Sequence, residues 1–196
     1  KLGVKASSYC AVFFDDVRVP AANRIGEEND GWRVAKYLLE FERGGGSGAG
    51  LKVSLERLAG LARAERGDHG GPLIEDPAFR ARLGAAEVLV EAIQMTEHRV
   101  LAELASGRNP GPASSMLKAQ GTEAMQLLDQ IAVEGIGAYA GVDQPEARAP
   151  DSNVDGIGPD HGLTAMARYL NDRAASIYGG SNEIQRDIMA RLVLGL

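Results

Sequence analysis

The stretch "DPAFRARLGAAEVLVEAIQMTEHRVLAELAS", residues 76–106, decides the fold class of this chain. Its apolar residues recur at the spacing of one face of an α-helix: Leu83, Val88, Leu89, Ile93, Val100 and Leu104. Asp76 can accept hydrogen bonds at the helix start, and Pro77 suits the first turn. The glycines and prolines of "SGRNPGP", residues 106–112, then end the pattern. The spacing therefore predicts one long helix over about residues 78–106.

The same spacing recurs on both sides of this helix. It predicts helices over about residues 32–66, 113–133, 161–176 and 182–194. Five glycines in "GGGSGAG", residues 44–50, interrupt the first of them, so either the helix breaks there or something packs too closely for side chains. Residues 135–160 are rich in Gly, Pro and Asp and predict a loop. We therefore expect a mostly α-helical protein with an up-and-down bundle of antiparallel helices.

The N-terminal part differs from the rest. Residues 9–20, "YCAVFFDDVRVP", are rich in β-branched and aromatic residues, which predicts a strand. Because one strand cannot bury a face alone, we expect it to be the last strand of a sheet whose other strands lie outside this sequence. The predicted division is residues 1–28 as the end of a β-domain and residues 29–196 as the helical bundle.

Composition excludes several classes of protein. The net charge of −6, with Lys and Arg scattered among acidic residues, argues against a nucleic-acid surface. A single cysteine, Cys10, allows no internal disulfide and fits a reducing compartment. No apolar run reaches membrane-spanning length and no export signal is visible, so we expect a cytoplasmic protein without a membrane partner. The three histidines lack metal-ligand spacing, and no metal site is predicted.

Glu42 is the first candidate for chemistry. It follows Leu38 and Leu39 by four and three positions, which places it at the border of the apolar stripe. Partial burial raises the pKa of a carboxylate, as a general base working near neutral pH requires. The alternative is that Glu42 reaches solvent while Arg43 pairs with a neighbouring acid. The glycines that follow would let a flat ligand or another backbone come close.

The second candidate is the glycine turn of "SIYGGSNEIQR", residues 176–186. Ser181 or Asn182 can cap the final helix, and Gln185 would complete a capping box with Asn182. Two glycines before a helix start expose backbone N–H groups to an anion. The simpler interpretation is a plain connection between two helices, with Tyr178 as a packing residue.

Two longer stretches carry a resemblance to a known family. "VFFDDVRVPAANRIGEENDGW", residues 12–32, and "IYGGSNEIQRDIMARLVLGL", residues 177–196, resemble the acyl-CoA dehydrogenase family at its exit from the middle β-domain and at its closing signature. The resemblance covers the C-terminal half of such an enzyme. It implies FAD as cofactor and removal of hydrogens from the α and β carbons of an acyl-CoA thioester. A glutamate takes the α proton, and the β hydrogen passes to the flavin as hydride.

The resemblance also assigns site residues. Many members carry the catalytic glutamate directly after the tyrosine of the closing motif, where this chain has Gly179. A second group, which includes isovaleryl-CoA dehydrogenase, carries it on the first C-terminal helix in a Glu-Arg pair that matches Glu42-Arg43. The resemblance therefore implies Glu42 as the base, with Arg43, Tyr178 and Gly179 beside the substrate.

The cofactor motifs match only in part. Ser181 and Glu183 correspond to residues that contact the adenosine end of FAD. A neighbouring subunit usually adds an Arg followed by Phe-Gly and a Gln followed by Gly-Gly. Here "RAERGDHGGPL", residues 63–73, lacks Phe-Gly, Glu134 replaces the Gln, and Gly137 precedes an alanine. A carboxylate near a pyrophosphate would repel it.

Two functions therefore stay open. The first is a flavin-dependent acyl-CoA dehydrogenase with Glu42 as base, whose C-terminal half alone would not be a competent enzyme. The second is a non-catalytic partner subunit or assembly domain, and a related oxidase is a minor third because a fold does not fix its chemistry. The family implies acyl-CoA, an electron-transfer flavoprotein or similar acceptor, and further copies of the chain in a tetramer or dimer as partners.

Overall fold

The computed structural model describes residues 11–42, 46–109 and 111–196, with the backbone alone for residues 40–42. Six α-helices form this part of the chain: α1 Gly31–Glu42, α2 Ser47–Ala64, α3 Pro77–Ala105, α4 Ala113–Ile136, α5 Gly162–Asp172 and α6 Asn182–Met189. Short helical turns lie before, between or after them: Ala21–Asn23, Leu73–Glu75, Gly137–Gly141, Arg173–Ser176 and the π-helical turn Ala190–Leu194.

Helix α4 lies at the centre of the bundle and packs against α2, α3, α5 and α6. The main core forms where α2, α3 and α4 meet, around Leu58, Val90, Ile93, Leu128 and Ile131, which are all at most 3% exposed. Burial of such side chains stabilises the fold by about 1.5–3 kcal/mol each. The prediction of a helical bundle is confirmed.

The best-predicted element is α3. Its periodic pattern gave a start near residue 78 and an end near 106, and the helix runs from Pro77 to Ala105. The Asp76 carboxylate accepts a hydrogen bond from the Phe79 N–H at 2.7 Å, as an N-cap residue should. The long apolar stripe and the cap are both local signals, so the sequence was enough to place this helix.

The strand expected at residues 9–20 is not formed over residues 11–20, the part of it that the structure describes. All side chains from 11 to 20 are exposed there. A strand needs a partner strand to complete its hydrogen-bond ladder. The described residues contain no strand that could pair with residues 11–20, and their one isolated β-bridge joins Arg66 to Pro72. Tyr9 and Cys10 lie outside the described residues.

The helical pattern expected over residues 32–66 is divided into α1 and α2. Gly46 precedes α2 with a φ of 102°, a left-handed conformation that favours glycine. Close packing also occurs, since a side chain on Gly48 would overlap the Glu97 carboxylate and one on Gly121 would lie 2.9 Å from the Ser47 hydroxyl. The helix therefore breaks at Gly46, and close packing excludes a side chain at Gly48.

Within the described residues, none of the helices combines the length and apolar character needed to cross a membrane. The same part of the chain contains no group of three or more His, Cys, Asp or Glu residues placed to hold a metal ion.

Candidate functional site

Glu42, the predicted base, is the last residue of α1. Its side chain and the whole of Arg43 lie outside what the structure describes, so the Glu-Arg pair stays a prediction. The described part of α1 leaves large apolar side chains uncovered: Trp32 is 72% exposed and Leu38 is 64% exposed. The apolar side chains of α1 that were expected to be buried beside Glu42 are therefore largely exposed to solvent.

The buried carboxylate of Glu97 fixes the start of the next helix. Glu97 lies on α3, is 6% exposed, and accepts hydrogen bonds from the backbone N–H groups of Gly46, Ser47 at 3.1 Å and Gly48 at 3.0 Å. These donors are the unpaired N–H groups at the positive end of the α2 dipole. Glu97 thus takes the place of an N-cap side chain near α2 in the sequence, and it fixes the first turn of α2 against α3.

The glycine turn lies between the helical turn Arg173–Ser176 and α6. Gly179 and Gly180 have φ values of 65° and 84°, a region that L-residues rarely adopt. A Cβ atom on Gly179 would meet only the Lys118 side chain, at 3.9 Å. Tyr178 beside it is 46% exposed. The backbone at Gly179 is therefore exposed and has space beside it for a ligand to approach.

Ser181 caps α6, as one of the two predicted options, with its Oγ accepting a hydrogen bond from the Ile184 N–H at 3.4 Å. The predicted box between Asn182 and Gln185 is wrong, because Ser181 takes the cap position. Gln185 is instead fully buried, and its amide makes no hydrogen bond within the described residues.

Glu183 occupies the first turn of α6 and is exposed. Hydrogen bonds from its own backbone N–H and from the Ser181 hydroxyl hold the pKa of its carboxyl below the usual range. A hydroxyl and a carboxylate side by side suit the hydroxyl groups of a ribose better than a phosphate, because the carboxylate repels an anion. Ser181 and Glu183 therefore present hydrogen-bonding groups of a kind that suits a ribose.

The remaining cofactor candidates lie at the other end of α4. Gly137 ends this helix with a φ of 66° and open space around its Cβ position. Glu134 is bonded by Arg82 of α3 and by Gln130 Nε2 at 2.9 Å, and these bonds, chiefly that from Arg82, lower the pKa of its carboxyl. The charge expected to repel a pyrophosphate is thus balanced within the chain.

The structure does not bring Gly137 together with the glycine turn. Lys118, in the first half of α4, contacts the residues beside the turn, whereas Gly137 follows the last residue of α4. At 1.5 Å per residue, these two points on α4 are about 27 Å apart. Within one copy of the chain the two regions therefore lie far apart along α4.

Sequence reasoning missed a cleft of about 710 Å³ between α2, α4 and α5, whose mostly apolar lining includes a few charged side chains. Asp129 of α4 and Asp172 at the end of α5 line it, together with Arg168. Burial, then the hydrogen bond and charge of Asp172, raise the pKa of Asp129 to about 7, while Arg168 and Arg173 act in the opposite direction. The available signal was an acidic residue between the apolar residues Leu128 and Ile131 of a predicted core helix.

Comparison with known proteins identifies the family. Residues 29–194 match the model of the acyl-CoA dehydrogenase C-terminal domain. Acyl-CoA dehydrogenase IpdE1 of Mycobacterium tuberculosis is 34% identical over 94% of this chain and 43% of its own length. The mitochondrial short-chain specific acyl-CoA dehydrogenase of Rattus norvegicus is 26% identical over 97% of this chain and 42% of its own length.

Solved structures agree with this match. The ChsE4-ChsE5 complex from Mycobacterium tuberculosis superimposes with a TM-score of 0.71 at 28% identity, over 94% of this chain and 45% of the other chain. The chain spans less than half the length of the curated relatives named above. It belongs to the acyl-CoA dehydrogenase family, of which it contains the C-terminal helical domain.

Proposed function

We propose that this chain is the C-terminal domain of a flavin-dependent acyl-CoA dehydrogenase that introduces a double bond between the α and β carbons of an acyl-CoA thioester. The observation that carries the proposal is the open space beside Gly179, in the glycine turn in front of the capped helix α6. Many family members hold their catalytic glutamate at the position of Gly179, and the glycine leaves this space free for a base from another element.

Glu42 is that base in the proposed mechanism. It removes the α proton of the thioester, while Arg43, Tyr178 and Gly179 line the substrate's approach. The chemistry that bound FAD would supply is a two-electron acceptor for the β hydrogen as hydride. Support for Glu42 comes from its place at the end of α1 and from its match to the Glu-Arg pair of one group in the family.

Ser181 and Glu183 would hold the adenosine end of FAD through hydroxyl and carboxylate contacts to the ribose. Gly137 would contact the dinucleotide of a neighbouring copy, because about 27 Å of α4 separates it from the turn of its own chain. This arrangement requires a homo-oligomer, a tetramer or a dimer. The pairing of Glu134 with Arg82 supports it by removing a free negative charge from the region of Gly137.

In the proposed function, this chain is the C-terminal part of a longer protein. Residues 1–28 would end a middle β-domain and residues 29–196 would form the helical domain, a division supported by the family match that begins at residue 29. The relatives are more than twice as long as this chain, so the domain by itself would lack much of the flavin site. The electron acceptor would be an electron-transfer flavoprotein or a similar carrier.

A non-catalytic partner subunit is the second candidate. Two observations favour it: the loop of residues 63–73 lacks the usual Phe-Gly, and a similar solved structure is a complex of two named components, ChsE4 and ChsE5. Under this alternative the chain keeps the fold and the assembly surface, while its partner binds flavin and substrate.

The test is the flavin absorbance of the protein purified with its natural N-terminal sequence, before and after a panel of acyl-CoA thioesters. We expect a yellow protein that one class of thioester bleaches. Glu42→Gln should keep the colour and lose most of the bleaching, whereas Glu40→Gln, two positions earlier on another side of α1, should bleach normally.

Three results separate the alternatives. Bleaching of the Glu42→Gln protein at the wild-type rate would remove Glu42 from its role. A colourless protein that takes up no added FAD would favour the partner subunit. Recovery of colour and bleaching only after mixing with a second, different chain would establish that alternative directly.

A further inference from the structure

Lys118 of α4 contacts the chain on both sides of the glycine turn. Its Nζ donates a hydrogen bond to the Ala175 carbonyl oxygen at 3.0 Å, four residues before Gly179. It donates another to Asn182 Oδ1 at 2.9 Å, three residues after Gly179. One ammonium group therefore fixes both ends of the segment that carries Tyr178, Gly179 and Ser181.

Asn182 is held from a second side. This side chain is 3% exposed, and its Nδ2 donates to the Thr122 hydroxyl at 3.1 Å. The Thr122 hydroxyl in turn donates to the Ala119 carbonyl oxygen at 3.0 Å within α4. Lys118 and Thr122, one helical turn apart, thus hold the first residue of α6 through a network in which each of these side-chain groups has a partner.

The two glycines make the backbone of the turn intrinsically flexible. Glycine can adopt more backbone conformations than any other residue type, which applies to Gly179 and Gly180. Tyr178 and Gly179 are exposed. The backbone N–H groups of Ile177 and Tyr178 bond to Ala174, which restrains only the start of the segment. Hydrogen bonds from a charged donor are roughly twice as strong as neutral ones, so the two bonds of Lys118 are a strong restraint that spans the turn.

We propose that Lys118 is a positioning residue, which holds the Gly179–Gly180 turn against α4 so that Tyr178, Gly179 and Ser181 meet substrate and cofactor in one fixed geometry. The inference rests on the proposed dehydrogenase function. It adds a residue that touches neither reactant and acts through the turn. Lys118 also interacts electrostatically with the Glu183 carboxylate, so its charge supports the cofactor side of the turn as well.

The test replaces Lys118 with Met in the protein that carries its natural N-terminal sequence. Met keeps most of the aliphatic stem and removes the ammonium group. We expect the KM for the thioester and the Kd for FAD to rise at least about tenfold, because the variant loses both charged hydrogen bonds that Lys118 donates beside the turn. With both ligands saturating, kcat should fall much less, because Glu42 lies on a different helix.

Two further variants make the result specific. Lys52→Met removes an exposed lysine of α2 that pairs with Glu91 at 3.4 Å, and it should leave KM and Kd unchanged. Thr122→Val keeps Lys118 and loosens Asn182 alone, so it should raise KM by a smaller factor. It also keeps the proposal testable if the Lys118→Met protein does not fold.

Unchanged KM and Kd in Lys118→Met and Thr122→Val, with or without a lower melting temperature, would overturn the positioning role. A wild-type protein that binds no FAD and responds to no thioester would overturn the dehydrogenase function and this inference together. A functional wild type with unaffected variants would overturn the role of Lys118 alone.

Discussion

Replacing Asp129 with Asn should make the bundle more stable at pH 8 and flatten its dependence on pH. Asp129 is 6% exposed on α4 and faces Asp172 at the end of α5. Its Oδ2 has no hydrogen-bond partner within the described residues. Two carboxyl groups in such a place cannot both be charged without cost, and the neutral form of Asp129 can donate a hydrogen bond to Asp172.

The sign and size follow from the pKa of Asp129, which burial and Asp172 raise from 3.8 to about 7. Because the folded protein binds this proton more tightly than the unfolded chain, stability is greatest below about pH 4 and is lost as pH rises to about 7. At 1.36 kcal/mol per pKa unit the full loss is about 4 kcal/mol. Asn keeps the shape and the donor without the charge, so Asp129→Asn should recover much of this loss.

The assay is thermal unfolding of wild-type and variant proteins at pH 5, 6, 7 and 8. The variant should melt higher by about 2–4 °C for each kcal/mol recovered at pH 8, and the difference should shrink towards pH 5. Asp155→Asn, an exposed aspartate in the loop before α5, is the matched control and should melt like the wild type. A constant difference between variant and wild type at every pH would refute the argument.

The remaining predictions concern other polar contacts of the bundle. Glu97→Gln should destabilise the protein by about 1–3 kcal/mol, seen as a lower melting temperature, because the three N–H groups at the start of α2 lose a charged acceptor. Ser181→Ala should cost about 1 kcal/mol through loss of the α6 cap, and the same melting experiment would detect it. Glu134→Gln should change the melting temperature and the Kd for FAD very little, because Arg82 already balances this exposed charge; a large gain in FAD affinity would contradict this account.

The sequence was a good guide where the signals were local. The periodic stripe and the Asp76 cap placed α3 to within a residue or two at each end. The Gly179–Gly180 turn and the Ser181 cap were also visible, since glycine and serine act there through their own backbone and side chain. The prediction of a strand at residues 9–20 was wrong over its described part, residues 11–20. A strand depends on partner strands, and the described residues do not supply any.

The missed residues all act between helices that are far apart in the sequence. Glu97 caps a helix that starts about fifty residues earlier, and Lys118 bonds a residue 64 positions later. Asp129 has an unusual pKa only because α5 brings Asp172 against it. Periodicity tells which face of a helix is buried but not which side chains lie opposite, so such contacts could not be read from the sequence.

These contacts differ from one part of α4 to the next. Its first half holds the glycine turn through Lys118 and Thr122, its middle faces α5 at Asp129, and its end presents Gly137 beyond a charge-balanced Glu134. The first and last of these regions are about 27 Å apart on a single rigid helix. If both serve one dinucleotide, as the proposed function requires, each site must combine the turn of one copy with the α4 end of another. Cofactor binding and assembly would then be linked by mass action, because a ligand that binds only the assembled form stabilises it.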